Sequence, residues 1–265
     1  MKSNVCIALL AVAAVSCKTP MYFPDRVNAP GFSEKYQGFV NFSMQPQTSP
    51  EEGPTGKAAS FSTDLGFSIT DNIAVIGSYR DLNDNAEKEK DNNVNRVGGI
   101  FNGTRREIGL GYYRGNKKGL NFEAFAGLGK GDIRRTSPLT PHLNFNSDYS
   151  TWFLQTAVGQ NWDYFRILFG AKYFSNRYYG FTATEPNLRY SLIGQTGSGK
   201  GVTDQTFAYI SPFLNVEAGY KFFMFSWQMG ATAQVAGDAT HQNPFYMTLG
   251  MTFRLGPEMF RDLKK

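Results

Sequence analysis

The stretch that decides the fold is Phe223-Met224-Phe225-Ser226-Trp227-Gln228-Met229-Gly230-Ala231-Thr232-Ala233-Gln234-Val235, resumed after a polar break by Phe245-Tyr246-Met247-Thr248-Leu249-Gly250-Met251-Thr252-Phe253-Arg254-Leu255. Every second residue from Phe223 to Val235 is apolar, and Met224, Ser226, Gln228, Gly230, Thr232 and Gln234 form a mostly polar counter-row. From Phe245 the alternation returns, with Phe245, Met247, Leu249, Met251, Phe253 and Leu255 set against Tyr246, Thr248, Gly250, Thr252 and Arg254. A period of two marks a strand, whose side chains point alternately to its two faces. A soluble sandwich strand alternates too. Here the greasy row carries bulky aromatics near its ends and has about the length with which a tilted strand crosses a bilayer.

Working outward, the same alternation predicts strands at Tyr36–Gln45, Ala58–Thr70, Asn72–Arg80, Thr104–Arg114, Leu120–Lys130, Tyr149–Gln160, Tyr164–Phe174 and Thr206–Tyr220, with the opening hairpin supplying the ninth and tenth. Pro212 interrupts the eighth; without an N–H it should mark a bulge or lie outside the bilayer. Connections after strands two, four, six and eight are tight, and those after one, three, five, seven and nine are long and rich in Asn, Asp, Gly and Pro. That strict alternation is the plan of an outer-membrane barrel, with short periplasmic turns and long outer loops. The expected fold is all-β: a single up-and-down antiparallel transmembrane β-barrel of about ten strands over 36–255, eight and twelve being the neighbouring counts. A periplasmic tail follows at 256–265.

Bulk properties agree. The 265 residues include 28 Gly, 23 Phe and 14 Tyr, with a mean hydropathy of −0.36. Beyond the N-terminus no apolar run reaches the ~20 residues of a spanning helix. A barrel hides its hydrophobicity by alternation. The formal charge of +5 becomes +4 without residues 1–16, since only Lys2 is lost (5 − 1 = 4), and no Lys/Arg run is present to track a phosphate backbone. No nucleic-acid partner is expected.

Residues 1–16 read as a signal peptide, with Lys2 as its charged start and Ile7–Val15 as its apolar core. The core ends in Ala14-Val15-Ser16-Cys17, which resembles the lipobox of bacterial lipoproteins, with Ala14 in place of the usual leucine. Acylation of Cys17 and plain signal-peptidase cleavage are the two readings of that site. Cys6 lies in the signal, so the mature chain forms no internal disulfide. Residues 17–35, punctuated by Pro20, Pro24 and Pro30, read as an extended linker tethering the barrel to its lipid.

Several stretches also resemble a group of small outer-membrane β-barrel lipoproteins of Bacteroidetes bacteria. They are Cys17-Lys18-Thr19-Pro20-Met21-Tyr22-Phe23-Pro24 with Asn28-Ala29-Pro30 and Glu34-Lys35, Phe67-Ser68-Ile69-Thr70-Asp71-Asn72-Ile73-Ala74-Val75-Ile76, Glu107-Ile108-Gly109-Leu110-Gly111-Tyr112-Tyr113, and Met251-Thr252-Phe253-Arg254-Leu255. The resemblance implies an outer-membrane barrel anchored by fatty-acyl (palmitate) chains at Cys17, with lipid and lipopolysaccharide as surroundings. These motifs are structural, so no functional residue is carried over. Surface-bound lipoproteins of these bacteria often bear an acidic run after the cysteine. Lys18-Thr19-Pro20 departs from that, which favours an inner-leaflet anchor with both termini periplasmic.

With the aromatic rows facing lipid, Asp64, Glu107, Glu123 and Glu217 point inward together with Arg105, Arg166, Lys172 and Arg254. A barrel this narrow is nearly filled by side chains, and four acids balancing four bases suggest an ion-paired plug. The expectation is a non-enzymatic structural or interaction protein that meets a protein partner through its outer loops or periplasmic side. A narrow small-solute channel between the same charges is the alternative. A second alternative is a hydrolase or protease at the barrel rim, where His142 and His241 fall in loops near Asp148, Asp204 and Asp238. Gly194-Gln195-Thr196-Gly197-Ser198-Gly199-Lys200-Gly201 approaches a phosphate-binding loop, but Gly201 stands at the Ser/Thr position and no strand–loop–helix context surrounds it. Asp81–Asn93 lacks calcium-loop spacing, and no ligand pair has zinc spacing. Neither cofactor nor metal is expected. Asn41-Phe42-Ser43 and Asn102-Gly103-Thr104 match a glycosylation sequon at chance level.

Overall fold

The computed structural model describes residues 24–47, 58–84, 100–136, 144–185, 201–220, 222–238 and 245–257. Its strands are β1 (Gly38–Gln47), β2 (Ala58–Ser68), β3 (Ile73–Asp84), β4 (Ile100–Gly115), β5 (Gly119–Thr136), β6 (Phe145–Asn161), β7 (Phe165–Ala183), β8 (Thr206–Tyr220), β9 (Phe223–Ala231), β10 (Ala233–Ala236) and β11 (Phe245–Leu255). All the pairings are antiparallel. The sheet closes because β1 pairs β11 from Gly38↔Leu255 to Met44↔Leu249, and β9 pairs both β8 and β11. With β9 and β10 forming one stave, this is a closed ten-stranded antiparallel barrel.

The break in that ninth stave follows from Pro212. Phe213 pairs Gly230 on β9, and Ile210 pairs Ala233 on β10, so register is kept across the gap. Between them Pro212, which lacks a donor, falls opposite Ala231, where β9 ends, and Ser211 falls opposite the interruption at Thr232. The expected bulge lies beyond it: Tyr209 pairs Gln234, but Ala208 pairs Ala236. Side-chain bonding spans the break, with Thr232 Oγ1 donating to Ser211 Oγ at 3.0 Å.

Strands β4 to β7 run past the expected ends, β5 to Thr136 instead of Lys130 and β7 to Ala183 instead of Phe174. Above the lipid belt their outward residues are polar, as at Asp132, Arg134 and Asn146. There the greasy and wet faces exchange, so the alternation that marks a membrane strand fades. The inward residues at that height are aromatic. Tyr149, Phe174, Tyr178, Phe207 and Tyr209 join a buried cluster that reaches down to Phe32, Phe39 and Tyr113. The outward face carries the large exposed apolar side chains, among them Phe61, Ile108, Leu128, Trp152, Phe169, Phe225 and Leu249.

The short turns define one end of the barrel. In the β2–β3 turn, Thr70 Oγ1 accepts from the N–H groups of Asn72 (3.2 Å) and Ile73 (2.9 Å). In the β6–β7 turn, the Trp162 N–H donates to Phe165 O at 2.8 Å. Strand β1 begins at this short-turn end and rises toward the long-loop end.

Candidate functional site

The barrel encloses its own N-terminal segment. Residues 24–35, read from sequence as a linker outside the barrel, run through the lumen, and Pro24, Arg26, Val27, Asn28, Ala29, Pro30, Gly31 and Phe32 are buried. The backbone N–H and carbonyl groups of an extended segment need partners when water is excluded, and the inner wall supplies them. At the top, Gln45 Nε2 donates to Pro24 O at 2.7 Å. Next, Arg80 Nη2 donates to Arg26 O at 2.8 Å. Gln228 brackets Val27, accepting from its N–H at 2.7 Å and donating to its carbonyl at 3.0 Å. Gln155 Nε2 donates to Asn28 O (2.6 Å) and Arg166 Nη1 to Pro30 O (3.1 Å). The Gly31 N–H donates to Glu123 Oε2 at 2.8 Å.

Two local features fit the segment to its path. Gly31 has φ +59, and a Cβ there would press on Leu168, Arg166 and Asn121. Below it the Phe32 ring packs 5.4 Å from that of Tyr113 and against Gly66, where a Cβ would sit 2.8 Å from the Phe32 ring. The chain then reverses into β1 at the short-turn end, with Tyr36 at φ 61. Its order along the barrel is therefore downward: Pro24 lies beside Gln45 near the long-loop end, Phe32 beside Tyr113 at the short-turn end. Sequence reasoning brings the chain to β1 from the periplasmic, short-turn side, but the described chain approaches through the lumen from the opposite end. Strand β11 does finish at the short-turn end, Leu255 opposite Gly38.

All eight charged side chains singled out from sequence are buried inside, from Asp64 and Glu217 at 0% exposure to Glu107 and Arg166 at 7%. Seven of them, all but Asp64, form two groups. In one, Glu217 accepts from Arg254 at 2.6 Å with Arg166 at 3.6 Å, beside Glu123 on Gly31. In the other, Lys172 binds Glu107 at 2.6 Å, with Arg105 at 3.6 Å from the same carboxylate.

Three members were not anticipated. Arg80 meets Asp64 at 2.6 Å, Arg26 meets Asp64 at 3.1 Å, and Asp25 lies 3.6 Å from Arg80 and also binds Arg105. Arg80 shares the inward parity of Ala74, Ile76 and Ser78, so its position was readable. Asp25 and Arg26 carried no signal, because a proline-bounded segment has no strand period. Counted with them and with buried Arg135 on the inward row of β5, the described residues place five acids (Asp25, Asp64, Glu107, Glu123, Glu217) and seven bases (Arg26, Arg80, Arg105, Arg135, Arg166, Lys172, Arg254) in the lumen. Removing one partner from such a buried pair leaves an uncompensated charge, at a cost of about 3–5 kcal/mol.

Among the described residues, the other sequence candidates are not drawn into this network. Cys17, His142, His241 and 258–265 lie outside the described residues, as do most of the Asp81–Asn93 and Gly194–Gly201 stretches. Asp148 is exposed on the outer face of β6. Asp204 accepts from Gly201 N at 2.8 Å, and Asp238 from Gln205 Nε2 at 3.1 Å. Asn41 points into the lumen, donating to Ser226 Oγ and Thr252 Oγ1, both at 2.8 Å. Among the described residues no group of three His, Cys, Asp or Glu side chains is placed to hold a metal.

No protein-family model and no curated protein matches this chain. Solved structures with similar folds include Ail, the attachment invasion locus protein of Yersinia pestis (12% identity, TM-score 0.38, covering 83% of this chain and 99% of that one). Another is the N-terminal barrel domain of Pseudomonas aeruginosa OprF (11% identity, TM-score 0.34, 83% and 98%). A third is OmpT, an outer membrane protein of Vibrio cholerae (14% identity, TM-score 0.29, 83% and 64%). These are outer-membrane β-barrels, and the likeness extends to architecture alone.

Proposed function

We propose that the chain is an outer-membrane β-barrel lipoprotein sealed by its own N-terminal segment, a non-enzymatic structural or interaction protein that meets its partners through the long loops. The observation that carries this reading is the path of residues 24–32. The segment is bonded by side chains of β1, β2, β3, β4, β5, β6, β7 and β9, so the axis along which a solute would move is occupied by protein. The buried aromatic cluster adds further side chains to the upper lumen. The exposed aromatic and aliphatic belt supports the membrane placement. Acylation at Cys17 belongs to the same reading and is read directly by mass spectrometry of the mature N-terminus.

Reconstitution of the full chain in planar bilayers tests the seal against the narrow-channel alternative. The expected record at neutral pH is flat. Steady single-channel conductance would overturn the reading.

A further inference from the structure

The outer wall carries a row of basic side chains at one edge of the lipid belt. Strand register places Arg106 of β4 opposite Lys130 of β5, Lys130 opposite Ser150 of β6, and Ser150 opposite Arg177 of β7. The three bases are exposed, and each is free of an ion pair among the described residues. One rung toward the short turns, Ile108, Leu128 and Trp152 are opposite one another and exposed by 69%, 66% and 46%. The Trp152 ring packs 5.3 Å from that of Tyr173. The Arg106 guanidinium lies 5.7 Å from the Tyr79 ring.

We propose that Arg106, Lys130 and Arg177 bind the phosphate groups of a phosphorylated lipid in the leaflet on the long-loop side, with its acyl chains on the Ile108, Leu128 and Trp152 surface. The site rests on the membrane reading above. Basic side chains at this depth reach from apolar surface to headgroup phosphates, and arginine offers a phosphate two parallel donors. Strands ~4.8 Å apart set Arg106 and Arg177 about 14 Å from each other, a span that suits a headgroup with more than one phosphate. Charge on the neighbouring rung is acidic, with Asp81, Asp132 and Asp148 about 7 Å farther from the belt along the strands. Asp132 is engaged by the Thr104 hydroxyl, and Arg134 stands one rung beyond the acids. The row is also one-sided. Opposite Arg177 the next strand, β8, presents Thr206, exposed and uncharged.

The test uses the full chain in phosphatidylcholine vesicles doped with diphosphorylated lipid A or its dephosphorylated counterpart, with lipid retention read by native mass spectrometry. The phosphorylated lipid should stay bound, and each of Arg106→Gln, Lys130→Gln and Arg177→Gln should weaken retention about five-fold. Arg114→Gln, at the short-turn edge, should leave it unchanged. Equal retention of both lipids, an unaffected triple variant, or an equal loss in Arg114→Gln would each overturn the site. Flotation with the vesicles is scored separately: failure to float overturns the membrane reading, whereas floating without phosphate-dependent retention overturns this site alone. Arg106→Lys/Arg177→Lys, which keeps the charges, should retain the lipid and so separates lost recognition from damaged folding.

Discussion

Three inward glycines each face an aromatic ring directly across the sheet: Gly127 opposite Phe153, Gly131 opposite Tyr149, and Gly230 opposite Tyr246. The absence of a side chain lets each ring lie flat on the neighbouring strand, and a Cβ at any of the three would sit 2.5 Å from ring atoms. Gly127→Ala should therefore cost about 1–3 kcal/mol by overpacking. Gly77 is the contrast, because a Cβ there meets only the Glu107 carbonyl oxygen, at 3.8 Å. Urea unfolding in detergent micelles should show Gly127→Ala destabilised and Gly77→Ala unchanged or slightly stabilised; equal effects would sink the seating argument. At this scale the lumen charges on regular strands were legible, because parity assigns a face to every strand residue. Arg80 and Arg135 lie on the same inward parity and could have been counted from sequence, whereas Asp25 and Arg26, one acid and one base, come from off the strands.

The lumen segment shows why some elements escape sequence reading. Its prolines, short length and lack of period are those of a linker, and its order comes from groups 21 to 201 residues away along the chain. Gln228 is the clearest such group, since it holds both the N–H and the carbonyl of Val27. Gln228→Leu removes both bonds and should raise hydrogen exchange across 24–32 while leaving β4 to β7 protected. Unchanged exchange in 24–32 would mean that the remaining contacts suffice. Strand existence was the legible part, eight strands and the closing hairpin all falling near their expected places. Strand ends were less so, since β4 to β7 continue where lipid no longer enforces alternation. The break at Thr232 was half legible: Pro212 announced a disturbance, but proline's missing donor acts on the strand beside it.

At the scale of the whole molecule, the described segment starts at Pro24 beside Gln45 near the long-loop end, and Cys17 stands seven residue steps before it, at most about 23–25 Å of extended chain. A protease site replacing residues 18–22 should accordingly be cut by external protease in intact cells. Protection until the outer membrane is permeabilised would place the start of the chain on the other side. The closed wall also constrains the order of assembly. Residues 24–35 lie directly ahead of β1, and β1 is joined to β11, the last strand made. Once that seam is zipped, the segment could enter only by being drawn lengthwise through a sealed tube. Laying the segment in while the sheet is still an open trough, with the C-terminal hairpin closing over it, avoids that threading.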